Sequence, residues 1–509
     1  MNAYSNQVFR TLKKIYMVLL LCMATSLGRT QTYVPVGEII YPYRAVPAAV
    51  KSGTGFQILY NNRNSNTIDS VVLKAKYWNV KLKVDSIQKG HFEYDTFTQQ
   101  FANTRIWVTV PVSSPEDMYD LTIYKHGEVQ ISKRSVKLLK MFPVVQRIIH
   151  ISDTHVSRNW KGSPTDGYAE ELELLDKFID VANIIAPDFV VVTGDLTHDY
   201  TRFSPDARGW GGNKFTALDA QPSAEEKFKN YYEGAKGYRG VQFMDAPVFS
   251  VTGNHDFYGM SENDHIQKAL QWNSISGIRV YGVAYGDTRL MVVDNFLGDS
   301  IRDIPLKKMM TGLQGKVLRN FLEENGPGKI RLMAQHLHNK FDADFINKND
   351  VKLVFSGHIH TPDAGPVKGT KAMTIRPGVV CRSGEQERWE KVLGLFRIVT
   401  IYGSEYKFTD PIRFCVNPTL PYKDVKLNLT LDFKLDNTGE SKSNVAVIKN
   451  NLPTDLFNCH IRFVMKRGKY NVNGGKVTQV VNSGALTIVD VRADVKMNDT
   501  KSVTINSGY

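Results

Sequence analysis

The stretch VFSVTGNHD, residues 248–256, places an apolar run directly before a cluster of residue types that bind metals. Residues 248–252 have the length and the β-branched and aromatic composition of a buried strand. Gly253-Asn254-His255-Asp256 follows at once, although the packing of a core needs no such polar cluster. The stretch therefore predicts a buried strand whose end delivers ligands to a site.

Five further apolar runs have the length of buried strands: residues 145–151, 189–193, 290–293, 330–334 and 351–355. Four of these runs also lead into ligand-type residues, which are Asp153-Thr154-His155, Gly194-Asp195, His336 and Gly357-His358-Ile359-His360. Apolar residues recur at helical spacing within residues 167–186, between the first two strands. Strands that alternate with helices predict an α/β layered core.

The paired ligands Asp153/His155 and His358/His360 are each separated by one residue. Side-chain direction repeats every two residues in an extended segment, so both members of a pair are expected to face one site. Imidazole, carboxylate and amide oxygen together suit borderline divalent metals such as Zn, Mn, Fe or Co. Two such cations would need a shared anionic ligand, and the two oxygens of Asp195 could bridge them. Gly194, Gly253 and Gly357 precede ligands, as expected where the backbone turns tightly or passes close to the site.

The chain of 509 residues is too long for a single hydrophobic core. Short alternating stretches before residue 140 and after residue 411 predict two small β-sandwiches, the first Ig-like, on either side of the α/β core. We expect a signal peptide at 1–31, an N-terminal domain at 32–143, the core domain at 144–408 and a C-terminal domain at 409–509. Residues 201–245 form a long insertion that could face the substrate, with a short helix at 224–232.

The N-terminus has the layout of a secretory signal, because Arg10, Lys13 and Lys14 precede an apolar run at 15–27. About 13 residues are too few to span a bilayer, which needs roughly 20, so we expect export, cleavage near 28–31 and no transmembrane anchor. Cys381, Cys415 and Cys459 would remain after cleavage. Cys415 and Cys459 could pair in an oxidising compartment, or all three could be buried thiols.

The formal charge of +13 favours anionic partners in general. Lys and Arg are interspersed with Asp and Glu along the whole chain, without the basic blocks of nucleic-acid-binding arms. We therefore expect a phosphorylated small-molecule or envelope substrate and no nucleic-acid partner. The sequence indicates no oligomeric state.

The ordered motifs D-x-H, GD, GNHD, H and GHxH, each at the end of a predicted strand, resemble the calcineurin-like metallophosphoesterase superfamily over about residues 145–400. The resemblance implies a layered metallophosphoesterase β-sandwich core flanked by helices, with two divalent cations (Mn, Zn, Fe, Co or Mg). It also implies attack on phosphorus by a hydroxide that bridges the cations. One cation would be held by Asp153, His155, Asp195 and His360, and the other by Asp195, Asn254, His336 and His358. His338 competes with His336, which the resemblance favours because the family's ligand follows the strand directly.

His255 matches the position that in relatives protonates the leaving oxygen or stabilises the charged phosphoryl group. Asp199 is a candidate partner of His255, and Asp256 either supports the catalytic residues or caps its loop. His198 stands where similar purple acid phosphatases have a tyrosine ligand, and GDLTHDY at 194–200 lacks the GDxxDRG run of protein Ser/Thr phosphatases. Both departures favour the broad phosphodiesterase and phosphatase group.

Arg376 and Arg382 follow the last motif and could bind phosphate oxygens or form surface salt bridges. The sequence as a whole predicts an exported metal-dependent phosphoesterase that acts on a diester or a monoester. The alternative is a cell-surface binding or adhesion protein built around an inactive metallophosphoesterase core. Retention of all seven ligand positions favours the enzyme.

Overall fold

The computed structural model describes residues 38–63, 67–156, 167–197, 224–235, 237–257, 265–296, 313–380, 393–416 and 422–508. The predicted signal peptide lies outside these residues, as do Cys381 and most of the predicted insertion. No helix in the described part of the chain has the length and apolar character needed to cross a lipid bilayer.

The N-terminal region is built from nine strands in two sheets that enclose an apolar core. The four-stranded sheet has the order β1-β3-β7-β6 and the five-stranded sheet the order β2-β9-β8-β4-β5. The strands are β1 (Ile39–Tyr41), β2 (Ala48–Lys51), β3 (Gly55–Tyr60), β4 (Ser70–Lys74), β5 (Asn79–Lys81), β6 (Lys83–Asp95), β7 (Gln100–Thr109), β8 (Asp117–Lys125) and β9 (Glu128–Leu139).

The central region contains two six-stranded sheets. Its strands are β10 (Val145–Ile151), β11 (Phe189–Val192), β12 (Gly234–Ala235), β13 (Tyr238–Arg239), β14 (Val248–Ser250), β15 (Tyr281–Tyr285), β16 (Thr288–Val292), β17 (Ile330–Ala334), β18 (Val351–Phe355), β19 (Asp363–Pro366), β20 (Met373–Arg376), β21 (Leu395–Tyr402), β22 (Glu405–Phe408) and β23 (Ile412–Arg413). Its helices are α1 (Gly167–Ile185), α2 (Ala224–Glu233), α3 (His265–Ile275), α4 (Leu313–Asn325) and α5 (Ala343–Lys348). All six predicted apolar runs form strands, and both predicted helices are present.

The two central sheets pack face to face through one apolar layer. The first has the order β14-β11-β10-β21-β22, with β23 paired to β21, and the second the order β15-β16-β17-β18-β20-β19. Strands β10, β11 and β14 are parallel, as are β16, β17, β18 and β20. Since the carboxyl ends of parallel strands meet at one edge, the loops that follow them are brought together.

The C-terminal region is again made of strands, in sheets of order β26-β27-β32-β29 and β28-β31-β30 with a small β24-β25 pair. The strands are β24 (Cys415–Val416), β25 (Lys426–Leu427), β26 (Leu429–Phe433), β27 (Ser443–Asn450), β28 (Leu456–Lys466), β29 (Tyr470–Asn473), β30 (Lys476–Ser483), β31 (Leu486–Val495) and β32 (Asp499–Ser507). Its core is continuous with the apolar face of α1. Cys415 and Cys459 are buried and free, so the pairing considered from the sequence is not formed.

The architecture confirms the predicted fold class, a layered central β-sandwich with helices and two flanking β-rich regions. The apolar face predicted in α1 is buried, from Leu172 to Ala182. Ala186 then takes a positive φ of 52° before Pro187, which ends the helix. The described residues fall within one compact unit, so the predicted domain boundaries stay a prediction.

Candidate metal centre

Four predicted ligands from three different loops meet in one buried group: Asp153, His155, Asp195 and His360. Their potential ligand atoms all lie within 4.8 Å of one another. The Nε2 atoms of His155 and His360 are 3.1 Å apart, and the Nε2 of His155 is 3.6 Å from the Oδ2 of Asp195. The loops after β10, β11 and β18 therefore converge as the strand arrangement requires.

A second group contains Asp195, His336 and His358, so that Asp195 belongs to both groups. The Nε2 of His336 lies 3.3 Å from the Oδ2 of Asp195. The Oδ1 of Asn254 is 3.1 Å from this Nε2 and 3.0 Å from the Nδ1 of His358. All seven residues predicted as ligands are thus brought together.

Five of these seven residues have backbone φ angles in the left-handed region, which non-glycine residues rarely adopt. The angles are 53° at Asp153, 47° at His155, 52° at Asp195, 81° at His358 and 60° at His360. The alternation of an extended strand, expected from the sequence, is therefore not what brings each pair to the site. Such conformations cost of order 1–3 kcal/mol each and persist where surrounding structure enforces them, as is frequent at functional sites.

Backbone hydrogen bonds between two ligand loops hold this strained conformation. The amides of Asp153 and His155 donate to the carbonyls of Gly194 and Asp195, at 3.1 and 2.9 Å. The amide of Val156 continues the pattern by donating to the carbonyl of Leu196 at 3.0 Å. Each ligand loop thereby fixes the other.

Glycine is required where ligand loops pass closest to one another. A Cβ added to Gly253 would lie 2.1 Å from the backbone nitrogen of Asp195 and 2.2 Å from its Oδ1. A Cβ on Gly357 would lie 2.0 Å from the Oγ of Ser152 and 2.8 Å from the Oδ2 of Asp153. Both glycines allow this close approach, as the sequence predicts.

The hydrogen bonds of His336 determine which of its nitrogens can bind a cation. Its Nδ1 lies 2.6 Å from the carbonyl oxygen of Thr193, which can only accept, so Nδ1 carries a proton. In the neutral ring, Nε2 then presents a lone pair to the oxygens of Asp195 and Asn254. Burial lowers the pKa of His336, but the Asp195 carboxylate outweighs it and raises the pKa to about 9. The site therefore favours positive charge between these atoms.

The donor set as a whole fits divalent cations. The Oδ1 of Asp153 is buried and lies 3.2 Å from the Nε2 of His360, yet it accepts no hydrogen bond of good geometry. A buried polar oxygen without a hydrogen-bond partner lowers the stability of the fold unless a ligand binds to it. Imidazole, carboxylate and amide oxygen are ligands of Zn, Mn, Fe and Co.

Residues 146–362 match the family model for calcineurin-like phosphoesterases. The chain contains a calcineurin-like phosphoesterase domain. The family predicted from the sequence is thereby confirmed, and a buried cluster of Asp and His that could hold metal lies within the matched residues. A search of curated proteins found no match.

Solved structures similar to this chain include PhoD, with a TM-score of 0.41 and 11% identity over 78% of this chain and 90% of PhoD. A predicted phosphoesterase from Streptococcus pneumoniae TIGR4 has a TM-score of 0.22 and 16% identity over 52% of this chain and 87% of its own. GAP50 of Plasmodium, the anchor in the inner membrane complex, has a TM-score of 0.29 and 14% identity over 52% and 84%.

His255 and Asp256 follow Asn254 in the phosphoesterase domain, in a short 3-10 helix, and differ in their contacts. The ring centroids of His255 and His155 are 4.6 Å apart, and the backbone amide of His255 donates to the Oδ1 of Asp195 at 2.9 Å. Asp256 is fully buried and accepts hydrogen bonds from the amides of Leu196, Thr197 and Gly253. Burial raises the pKa of Asp256 well above its usual value. These contacts are those of a loop-capping carboxylate.

His338 and Arg376 lie near the site but outside both groups. The ring of His338 stacks on that of His358, with centroids 5.8 Å apart. Burial lowers the pKa of His338 to about 4. The guanidinium of Arg376 pairs with Asp363 at 2.7 Å, which is the salt-bridge alternative considered from the sequence. Asp199 and Arg382 lie outside the described residues.

The end of strand β16 is the part of the site that sequence reasoning missed. Its run has no metal-type ligand assigned, yet Asp294 and Asn295 follow it and are buried. The Oδ1 of Asn295 accepts hydrogen bonds from the amides of His336 and Leu337, at 2.9 and 2.8 Å. The Asp-Asn dipeptide directly after the apolar run at 290–293 was the signal that could have identified it.

Proposed function

We propose that this protein is an exported phosphoesterase that hydrolyses a phosphodiester or a phosphomonoester at a centre of two divalent cations. The observation that carries the proposal is the pair of overlapping ligand groups that share Asp195. Asp153, His155, Asp195 and His360 would hold one cation, and Asp195, Asn254, His336 and His358 the other. When bound, two cations in such a centre neutralise phosphoryl oxygens and make water nucleophilic near neutral pH.

The chain's own residues orient this centre and move protons. Thr193 holds the proton on the Nδ1 of His336 and leaves the Nε2 directed toward Asp195. His255 is 5% exposed and borders the ligand groups, where its ring can donate a proton to a leaving oxygen or a hydrogen bond to a phosphoryl oxygen. Asp256 keeps the loops of Asp195 and Asn254 in register through three amides.

The net charge and the N-terminal sequence bear on the substrate class and the location. The net charge of +13 suits an anionic phosphorylated small molecule or an envelope component. The signal layout at residues 1–31 supports export. Mass spectrometry of the mature N-terminus checks export directly: a start between residues 29 and 32 supports it, and a chain that retains Met1 contradicts it.

The function is tested with purified protein, bis-p-nitrophenyl phosphate and p-nitrophenyl phosphate, after chelation and after addition of Mn, Zn or Mg. We expect metal-dependent turnover and two bound metal equivalents by elemental analysis. His336→Ala should lose turnover and about one equivalent, whereas the neighbouring control His338→Ala should keep both equivalents.

A protein that is folded and metal-loaded but turns over neither ester contradicts the general phosphoesterase proposal and favours a binding role. Loss of a metal equivalent in His338→Ala, with retention in His336→Ala, would reverse the ligand assignment. The ratio of diester to monoester turnover defines the substrate class.

A further inference from the structure

Residues 294–296, which follow β16, touch two of the loops that carry ligands. The Oδ1 of Asp294 accepts a hydrogen bond from the Oγ1 of Thr252 at 2.8 Å, directly before Gly253 and Asn254. Asn295 binds the amides of His336 and Leu337. The ring centroids of Phe296 and His336 are 6.0 Å apart. Asn295 therefore fixes the backbone at His336, and Asp294 holds the side chain of Thr252 beside the loop of Asn254.

A buried ionic chain connects this segment to the N-terminal region. The Oδ2 of Asp294 pairs with the Nη1 of Arg279, and the Nη2 of Arg279 lies 3.4 Å from the Oδ2 of Asp95. Asp95, Arg279 and Asp294 are 8%, 2% and 0% exposed. Charges in such surroundings interact strongly, and each depends on its partners to compensate for lost hydration.

Asp95 also shapes the turn between β6 and β7, and its Oδ2 accepts a hydrogen bond from Asn273 of the central region. It ends the long strand β6, and its Oδ1 accepts hydrogen bonds from the amides of Phe97 and Thr98. The guanidinium of Arg279 lies over the ring of Phe97, 5.5 Å from its centroid. Burial raises the pKa of Asp95, but Arg279 and the hydrogen bonds from Asn273 and Thr98 together outweigh it and keep the pKa below its usual value. Asp95 is therefore an ionised member of the line of ion pairs that it forms with Arg279 and Asp294.

We infer that Asp95 of the N-terminal β-rich region is a positioning residue for the metal centre. It acts through Arg279 and Asp294 on the loops that carry Asn254, His255 and His336. The inference rests on the proposed function for its catalytic consequence, but its structural part concerns metal binding alone. It assigns the N-terminal region an indirect role in the reaction, through the position of the ligand loops.

The test compares two isosteric substitutions in the full-length protein, Asp95→Asn and Glu233→Gln. Glu233 is a matched control because it is also a carboxylate at the contact with the N-terminal region, where it pairs with Arg44 and Lys133. Both side chains are largely screened from solvent, at 7% and 15% exposure. The readouts are Co²⁺ titration followed by absorption, the unfolding midpoint, and kcat and KM for bis-p-nitrophenyl phosphate.

Removal of a group that orients a ligand directly weakens metal binding roughly 10- to 100-fold. Asp95 acts through two intermediates, so we expect Asp95→Asn to weaken one Co²⁺ equivalent roughly three- to tenfold, with a similar loss in kcat and little change in KM. Glu233→Gln should leave metal affinity and kcat unchanged even where it lowers the unfolding midpoint. Equal effects of the two substitutions on metal affinity would overturn the inference and leave a structural contact only.

Arg279→Lys and Asn295→Ala cover the case in which Asp95→Asn does not fold. Lysine retains the charge but has one nitrogen in place of the two Nη atoms that contact Asp294 and Asp95 separately, so Arg279→Lys should resemble Asp95→Asn. Asn295→Ala acts directly on the His336 loop and should show the larger, 10- to 100-fold loss in affinity. Unchanged Co²⁺ affinity in both variants overturns the inference.

The same data separate the inference from the proposed function. Weakened Co²⁺ binding in Asp95→Asn, together with a wild-type protein that hydrolyses no ester, supports the positioning role and contradicts the phosphoesterase proposal. Full wild-type turnover with Asp95→Asn equal to Glu233→Gln does the reverse. A wild-type protein that binds no Co²⁺ contradicts both.

Discussion

Among the described residues, the metal centre and the group of charged residues around Arg462 both contain aspartate and histidine, and they are organised in opposite ways. In the cluster around Arg462, opposite charges pair: its guanidinium donates to both oxygens of Asp490, at 2.7 and 3.1 Å, and to Asp117 at 3.0 Å. His460 lies 3.0 Å from the Oδ1 of Asp490. This cluster joins the C-terminal region to the N-terminal one, and its charged groups find their hydrogen-bond partners within the cluster.

The metal centre instead brings residues of the same ligand type together. Imidazole nitrogens of His155 and His360 face each other at 3.1 Å, and those of His336 and His358 at 3.3 Å. Five of its residues also have left-handed backbone. Burial alone thus does not mark a functional site. The mark is a set of converging carboxylate, imidazole and amide atoms that suits a bound cation.

The strongest contrast should come from neutralising one carboxylate in each cluster. Asp195→Asn should lower kcat/KM at least ~10³-fold, because both cations would lose their shared ligand. Asp490→Asn should leave kcat unchanged but lower the free energy of unfolding by about 3–5 kcal/mol, since Arg462 loses its principal partner. Steady-state kinetics and urea denaturation of both variants measure the two effects. Similar losses of activity in both variants would remove the distinction.

His255 and His460 extend the comparison to proton transfer. We expect His255→Ala to lower kcat roughly 10²- to 10⁴-fold for a methyl phosphodiester, whose leaving oxygen needs a proton. The loss should be much smaller for bis-p-nitrophenyl phosphate, because p-nitrophenolate departs without one. His460→Ala is the control and should affect neither substrate while the protein is folded. An equal loss for both substrates would instead assign His255 to the phosphoryl oxygens.

Metal itself should stabilise the protein only through the metal centre. At a hundred times its dissociation constant, a cation that binds only the folded state adds about 2.7 kcal/mol to the free energy of unfolding. We expect Mn or Zn to raise the unfolding midpoint of the wild type and of Asp490→Asn, and to raise that of Asp195→Asn far less. Differential scanning fluorimetry with and without chelator measures this. Equal shifts in all three proteins would place the bound metal elsewhere.

The central strands and the ligand list could be predicted from the sequence because both depend on local patterns. Apolar runs such as 145–151 have the length and composition of buried strands, and five of the six are followed within a few residues by ligands. The left-handed conformation of Asp153 could not be predicted, because it depends on hydrogen bonds from backbone amides to a loop about 40 residues away. The contact of Asp95 with Arg279 spans 184 residues and leaves no local signal. Pairing between domains is decided by tertiary packing, which periodicity does not encode.

The smallest expected effect concerns Asp188, which lines a pocket together with Arg462 and Asp490. Its ionisation should make the free energy of unfolding depend on pH. Its Oδ2 accepts a hydrogen bond from the amide of Arg147 at 2.6 Å, and burial raises its pKa from 3.8 to about 6. Between pH 4 and pH 6 the unfolded chain therefore releases a proton that the folded protein retains, so the free energy of unfolding falls as pH rises. A shift of two pKa units corresponds to about 3 kcal/mol, which solvent contact of the half-buried side chain reduces to about 1–2 kcal/mol. Urea denaturation at pH 4 to 7 should show this loss in the wild type relative to Asp188→Asn, whereas parallel pH profiles would mean that Asp188 ionises in the fold as readily as in the unfolded chain.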